Sequence, residues 1–93
     1  DTVETYEYAL RTIDWYLKNR EEYHLYVDMI IAFPGSVLYR RACENGVIPD
    51  RARFLKDGCP IVNVSRMSKE EFERLLGIVS RINGRVYNYV CYE

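Results

Sequence analysis

The chain has 93 residues, the size of one small domain with a thin hydrophobic core. Hydrophobic residues make up 48% and charged residues 29%, a balance that excludes a disordered acidic segment. Thirteen basic against fourteen acidic residues give a formal charge of -1, which argues against a nucleic-acid partner because nucleic-acid binders usually carry a basic excess. No apolar run approaches the length of about 18 residues that spans a membrane, so we expect no membrane partner either.

The N-terminal part of the sequence predicts an amphipathic helix. Asp1 followed three residues later by Glu4 is a variant of the capping box that begins many helices. We expect the helix to end near Asn19 and Arg20, because a basic residue suits the C-terminal end of the helix dipole. Apolar side chains recur between these points at the spacing of one helix face: Val3, Tyr6, Ala9, Leu10, Ile13, Tyr16 and Leu17.

An unbroken apolar run at residues 29–33 predicts a β-strand that is covered on both faces. Pro34 would end this strand because proline has no amide hydrogen to donate. Ser36 is a natural N-cap for a second helix over residues 37–45, and Gly46 suits the left-handed position that ends it.

The second half of the sequence predicts less regular structure and one further helix. Residues 47–60 predict a loop with a short turn at 51–55, and the β-branched residues 61–64 predict a short edge strand or an extended segment. Ser68 and Glu71 form a capping box before an amphipathic stripe that runs to residues 83–84. Residues 85–93 form a tyrosine-rich tail whose alternation fits a strand, a frayed end or a segment ordered by a partner.

The predicted order is helix, strand, helix, short strand, helix, which places the chain in the α/β class. A strand covered on both faces needs neighbours on its edges, and this sequence offers it no long partner. We therefore expect residues 1–93 to be a single domain or fragment, with 85–93 as its tail. The architecture would be a partial barrel fragment and not a complete barrel.

The side chains that usually carry chemistry are sparse. Cys43, Cys59 and Cys91 lie far apart in sequence, and the single histidine, His24, has no ligand-like neighbour, so we expect no metal site. Reduced thiols are typical of a cytoplasmic protein. Asp28 lies within an apolar segment and has two interpretations: a site residue beside a cofactor, or a carboxylate paired with a basic group or backbone amide. We predict no catalytic residue.

Several stretches resemble the C-terminal part of radical S-adenosylmethionine enzymes. Residues 1–5 look like the turn after a late barrel strand of that family, and residues 32–39 (Ala-Phe-Pro-Gly-Ser-Val-Leu-Tyr) resemble a loop after their next strand. Residues 40–48 are similar to the continuation of that loop. Residues 67–72 resemble the closing stretch of the cobalamin-binding subgroup.

The resemblance implies a role in a larger enzyme. Such an enzyme uses a 4Fe-4S cluster and S-adenosylmethionine, with cobalamin in this subgroup, but the family's C-x-x-x-C-x-x-C motif is not in this chain. The chain would therefore hold no cofactor alone and would supply the last barrel strand and a wall of the S-adenosylmethionine pocket. Ile31 and Phe33 would contact the adenosyl group, and Pro34, Gly35 and Ser36 would shape the loop.

A second interpretation is an independently folded protein-interaction module that uses an exposed strand edge and the tyrosine-rich tail. Under the first interpretation the partner is the rest of the parent barrel. We also expect the isolated fragment to self-associate, because a strand taken out of a barrel exposes unpaired amides and an apolar face.

Overall fold

The computed structural model describes residues 5–23 and 27–92, and its regular structure there consists of helices. In chain order they are α1 (Tyr6–Tyr23), α2 (Val37–Glu44), α3 (Arg51–Lys56) and α4 (Lys69–Asn83). Helices account for 55% of the structure and strand for only 2%. Within the described ranges, the β-pairing is one isolated parallel bridge between Ile61 and Tyr89.

The predicted α/β barrel fragment is therefore wrong. Residues 29–33 pair with no strand in the part of the chain that is described, and the amide of Phe33 instead donates to the carbonyl of Ile31 at 3.1 Å, as in a three-residue turn. Residues 61–64, predicted as an edge strand or an extended segment, form no strand beyond the single bridge at Ile61. An apolar run indicates only that its side chains favour burial, whereas a strand also needs a partner for its backbone amides and carbonyls. None of the described segments supplies such a partner to residues 29–33.

Helix α1 begins and ends differently from the prediction. The predicted cap, Asp1 with Glu4, lies outside the described residues. Thr5 caps the helix in the structure, because its hydroxyl accepts a hydrogen bond from the amide of Tyr8 at 3.3 Å. The helix continues past Arg20 to Tyr23, since the two glutamates that follow Arg20 are good helix formers.

The predicted caps of α2 and α4 are confirmed. The Ser36 hydroxyl accepts a hydrogen bond from the amide of Tyr39, and Ser68 and Glu71 form the reciprocal capping box. Gly84 ends α4 in the left-handed conformation, with a φ of 62°. The turn predicted at residues 51–55 is the helix α3, which Asp50 caps.

Two hydrophobic clusters hold these elements together. The first joins α1, α4 and the bridge residue, and its buried members are Ala9, Ile13, Ile61, Met67, Phe72, Leu75 and Val79. The second joins α2 and α3 to the chain that follows them, and its buried members are Ala42, Ile48, Phe54 and Val62. The predicted helix stripes are confirmed at Ile13, Leu75 and Val79 but wrong at Leu17, which is exposed. Ile30, in the predicted strand, is exposed as well, so that segment is not covered on both faces.

The C-terminal tail packs onto both clusters. The amide of Ile61 donates to the carbonyl of Asn88 at 2.6 Å, and the amide of Val90 donates to the carbonyl of Ile61 at 3.1 Å. Tyr89 stacks beside Phe72 in the first cluster with ring centroids 5.6 Å apart, whereas Tyr92 contacts the second cluster. The described tail residues are therefore part of the fold.

The loss of stability on truncating a leucine should distinguish a core position from a surface position. Leu75 is 5% exposed in the first cluster, whereas Leu55 is 54% exposed on α3. We expect Leu75→Ala to lower the free energy of unfolding by about 2–5 kcal/mol through lost burial and a residual cavity. The matched control Leu55→Ala should change it by no more than about 0.5 kcal/mol. Urea denaturation of both variants makes the measurement, and equal losses would contradict this core.

Candidate functional site

The turn before α2 is built by the residue types that its backbone requires. The amide of Ser36 donates to the carbonyl of Phe33 at 3.1 Å, and Gly35 takes a φ of +93°. This is the pattern of a type II turn, in which proline suits the second position and glycine the third. The Ser36 hydroxyl donates to the same carbonyl at 2.7 Å and also caps α2. The turn and the start of α2 therefore form one unit.

The structure distributes the predicted site residues over two environments. Pro34, Gly35 and Ser36 are exposed at the turn, and the side chain of Phe33 beside them is 57% exposed. Ile31 is partly buried against the first cluster. Ile30, at 61%, and Val37, at 51%, flank the turn as further exposed apolar side chains. We call Ile30, Phe33 and Val37 the exposed apolar patch.

The N-terminal end of α2 is electropositive. A shallow depression of about 280 Å³ lies there, and its lining includes Ser36, Arg40 and Arg51. The first turn of α2 carries no acidic residue, so no local carboxylate offsets the positive end of the helix dipole. Tyr39 also lines the depression, and burial is the first cause of the raised pKa of its phenol, so the phenol stays neutral. A carboxylate would be favoured here over an amine.

An apolar groove lies beside residues 27–30, which form part of its lining. Its volume is about 420 Å³, and its walls come from α1, α4, Leu38 of α2, residues 27–30 and residues 62–67. Its floor belongs to the first hydrophobic cluster and includes Ile13, Phe72 and Leu75. Thr12, Asp28 and Ser65 are the polar side chains in its lining. Below, the term apolar groove refers to this feature.

Asp28 is held by groups from the far end of the chain. The Tyr87 hydroxyl donates to Oδ1 of Asp28 at 2.5 Å, and a guanidinium nitrogen of Arg85 lies 3.5 Å from Oδ2. The Asn83 side-chain amide donates both to the carbonyl of Val27 and to the Tyr87 oxygen, each at 2.8 Å. Of the two interpretations of Asp28, the structure confirms the paired carboxylate. Nothing in the sequence pattern signals this pairing across more than fifty residues.

These contacts determine the protonation states of Asp28 and Tyr87. The hydrogen bond from Tyr87, then that from the Met29 amide, lowers the pKa of Asp28. Desolvation opposes these two hydrogen bonds, and the charge of Arg85 makes the smallest contribution. Burial and the same Asp28 hydrogen bond raise the pKa of Tyr87. At neutral pH the pair is therefore a carboxylate that accepts from a neutral phenol.

The three thiols do not form a metal centre. Cys43 and Cys59 are partly buried beside the second cluster, and Cys91 is exposed. Across residues 5–23 and 27–92, no three histidine, cysteine or carboxylate side chains lie close enough together to hold a metal ion. A 4Fe-4S cluster needs four ligands of this kind, so the described residues do not fit one.

Comparison with protein-family models, with curated proteins and with solved structures gave no match. In the ranges that the structure describes, none of the helices has the length and apolar character needed to cross a bilayer. The function is therefore inferred from the residues of this chain.

Acid titration should show the contribution of Asp28. Since folding lowers its pKa from 3.8, its contribution to stability is present above pH 3.8 and is lost as the pH falls through the lower value of the folded protein. We expect Asp28→Asn to be less stable than the wild type at pH 7 and the difference to narrow below pH 3.8. Urea denaturation as a function of pH makes the measurement.

The control for this titration is Asp14→Asn. Asp14 pairs with Lys18 on the exposed face of α1, where an ion pair contributes little. Asp14→Asn should change the free energy of unfolding by no more than about 0.5 kcal/mol at each pH of the titration. A difference for Asp28→Asn that does not depend on pH would contradict the assigned pKa direction.

Proposed function

We propose that this chain is the C-terminal portion of a radical S-adenosylmethionine iron-sulfur enzyme of the cobalamin-binding subgroup. In that enzyme it forms part of the wall of the S-adenosylmethionine pocket and is not catalytic on its own. The observation that supports the proposal best is the turn at residues 33–36, where the residues of the family-like loop leave Phe33 exposed. The proposal does not include a barrel strand, because residues 29–33 form none.

The chemistry of the turn suits the two ends of S-adenosylmethionine. The exposed ring of Phe33 offers an apolar face on which an adenine can stack. The electropositive depression with Arg40 and Arg51 suits the carboxylate of the methionine end. Apolar side chains around the turn would exclude water from a reactive intermediate.

The cofactors of this proposal belong to the parent protein. The 4Fe-4S cluster and, in this subgroup, cobalamin would be bound by residues outside this chain, because its cysteines are dispersed over the second cluster and the tail. Ile30 and Val37, the other two members of the exposed apolar patch, would meet the rest of the parent protein. The free thiols are consistent with the reducing cytoplasm, which is the compartment we propose.

A second candidate function is an independent protein-interaction module. The exposed apolar patch favours it, because apolar side chains exposed around one turn offer a surface that a protein partner could cover. The tail supplies less of the binding surface than the sequence suggested, since the hydroxyls of Tyr87, Tyr89 and Tyr92 are hydrogen-bonded within the chain.

A substitution in the parent enzyme tests the first proposal. We expect Phe33→Ala to weaken S-adenosylmethionine binding about tenfold, as expected for the loss of one stacking contact. The control is Val86→Ala, because Val86 is 95% exposed and lies outside the turn. Isothermal titration with S-adenosylmethionine measures both, and unchanged binding by Phe33→Ala would contradict the pocket assignment. A parent reading frame without C-x-x-x-C-x-x-C upstream of Asp1 would contradict the family.

Sedimentation equilibrium of the isolated 93-residue chain tests the exposed patch. We expect a species heavier than the 11.1 kDa monomer at tens of micromolar, an order of magnitude suited to a modest interface. Phe33→Asp should restore the monomer by placing a charge in the patch, whereas Leu55→Asp, an exposed position on α3, should not. A wild-type chain that is monomeric throughout would show that the patch does not drive self-association.

A further inference from the structure

We propose that residues 27–32 are a strap that closes one side of the apolar groove and opens while the four helices stay folded. Asn83, Arg85 and Tyr87 hold the strap through Asp28 and the Val27 carbonyl. We call these four side chains, Asp28 with Asn83, Arg85 and Tyr87, the latch. The proposal does not depend on the proposed function, although the strap leads directly into the turn at residues 33–36.

The strap has few backbone attachments. Within the described ranges, the amides of Ile30, Ile31 and Ala32 have no hydrogen-bond partner. The amide of Met29 bonds only to the carboxylate of the neighbouring Asp28, at 2.8 Å. A segment with so few backbone bonds belongs to the least stable part of a fold, whereas α1 and α4 on either side are regular helices.

The latch supplies the attachment that the backbone lacks. Its members Asn83, Arg85 and Tyr87 lie at the end of α4 and the start of the tail, so they form a base that the tail's bonds to Ile61 keep in place. Arg85 also lies over the ring of Tyr87, 4.7 Å from its centroid. One hydroxyl, that of Tyr87, joins the carboxylate to the Asn83 amide and is therefore the central contact of the latch.

Opening of the strap would widen the apolar groove. Residues 27–30 line one side of the groove, and Met29 and Ile31 pack partly onto the first cluster. If they leave, the floor formed by Ile13, Phe72 and Leu75 becomes accessible to an apolar molecule. The latch would thus control how far the groove, whose volume is about 420 Å³ with the strap in place, can widen.

The test compares two tyrosines that each donate a hydroxyl hydrogen bond to a carboxylate. Tyr87→Phe removes the bond to Asp28 and the one accepted from Asn83, both within the latch, and the control Tyr89→Phe removes the bond to Glu73 outside the strap. Methyl relaxation dispersion measures the population of the open state at Met29 and Ile31, with Ile78 on α4 as the internal reference. We expect Tyr87→Phe to raise that population about five- to tenfold, and Tyr89→Phe to leave it unchanged.

A dye and a second variant complete the experiment. The fluorescence of 8-anilinonaphthalene-1-sulfonate should increase in Tyr87→Phe and not in Tyr89→Phe, because the dye binds exposed apolar surface. Arg85→Gln alters an exposed side chain only, so this variant should fold. It should raise the open-state population measured at Met29 and Ile31 by a smaller factor than Tyr87→Phe does. Equal exchange at Ile78 would mean that the whole fold opens, and unchanged strap methyls in both latch variants would mean that there is no latch; either result overturns the proposal.

Discussion

The return of the tail along Ile61 is the contact on which the rest of the structure depends. The helices pack into two separate hydrophobic clusters. The backbone of Ile61, which lies where the two clusters meet along the chain, is hydrogen-bonded to Asn88 and Val90 of the tail. Ile61 belongs to the first cluster, and its neighbour Val62 belongs to the second. A single parallel bridge therefore connects two apolar cores that are too small to be stable alone.

The tail tyrosines explain how a polar segment can cover a core. Tyr87, Tyr89 and Tyr92 place their rings against apolar side chains while each hydroxyl donates to a carboxylate, on Asp28, Glu73 and Asp57 respectively. Burial is the first cause of the raised pKa of all three phenols, and together with the Asp57 hydrogen bond it raises the pKa of Tyr92 to about 12. The three phenols are thus neutral donors, which is what a partly buried tyrosine needs when its acceptor is charged.

The elements that could be predicted from the sequence are those that depend on neighbouring residues. Ser36 and Ser68 cap helices because a cap needs only the next turn of chain, and the turn at 33–36 follows from Pro34 and Gly35 in the same way. The prediction of a strand at residues 29–33 was wrong because the pairing of a strand depends on a distant partner segment, which local composition does not reveal. The latch was not predictable for the same reason, since Asp28 and Tyr87 meet only after α4 and the tail have packed.

Native-state hydrogen exchange at Ile61 and Val90 tests the central claim most directly. Their amides form the two bonds that carry the bridge, one to Asn88 and one back to Ile61. If the tail joins the two clusters, both amides should exchange only through global unfolding, with the same opening free energy as the interior amides of α4. Exchange of Val90 at the rate of an unstructured peptide, with α4 still protected, would contradict this account.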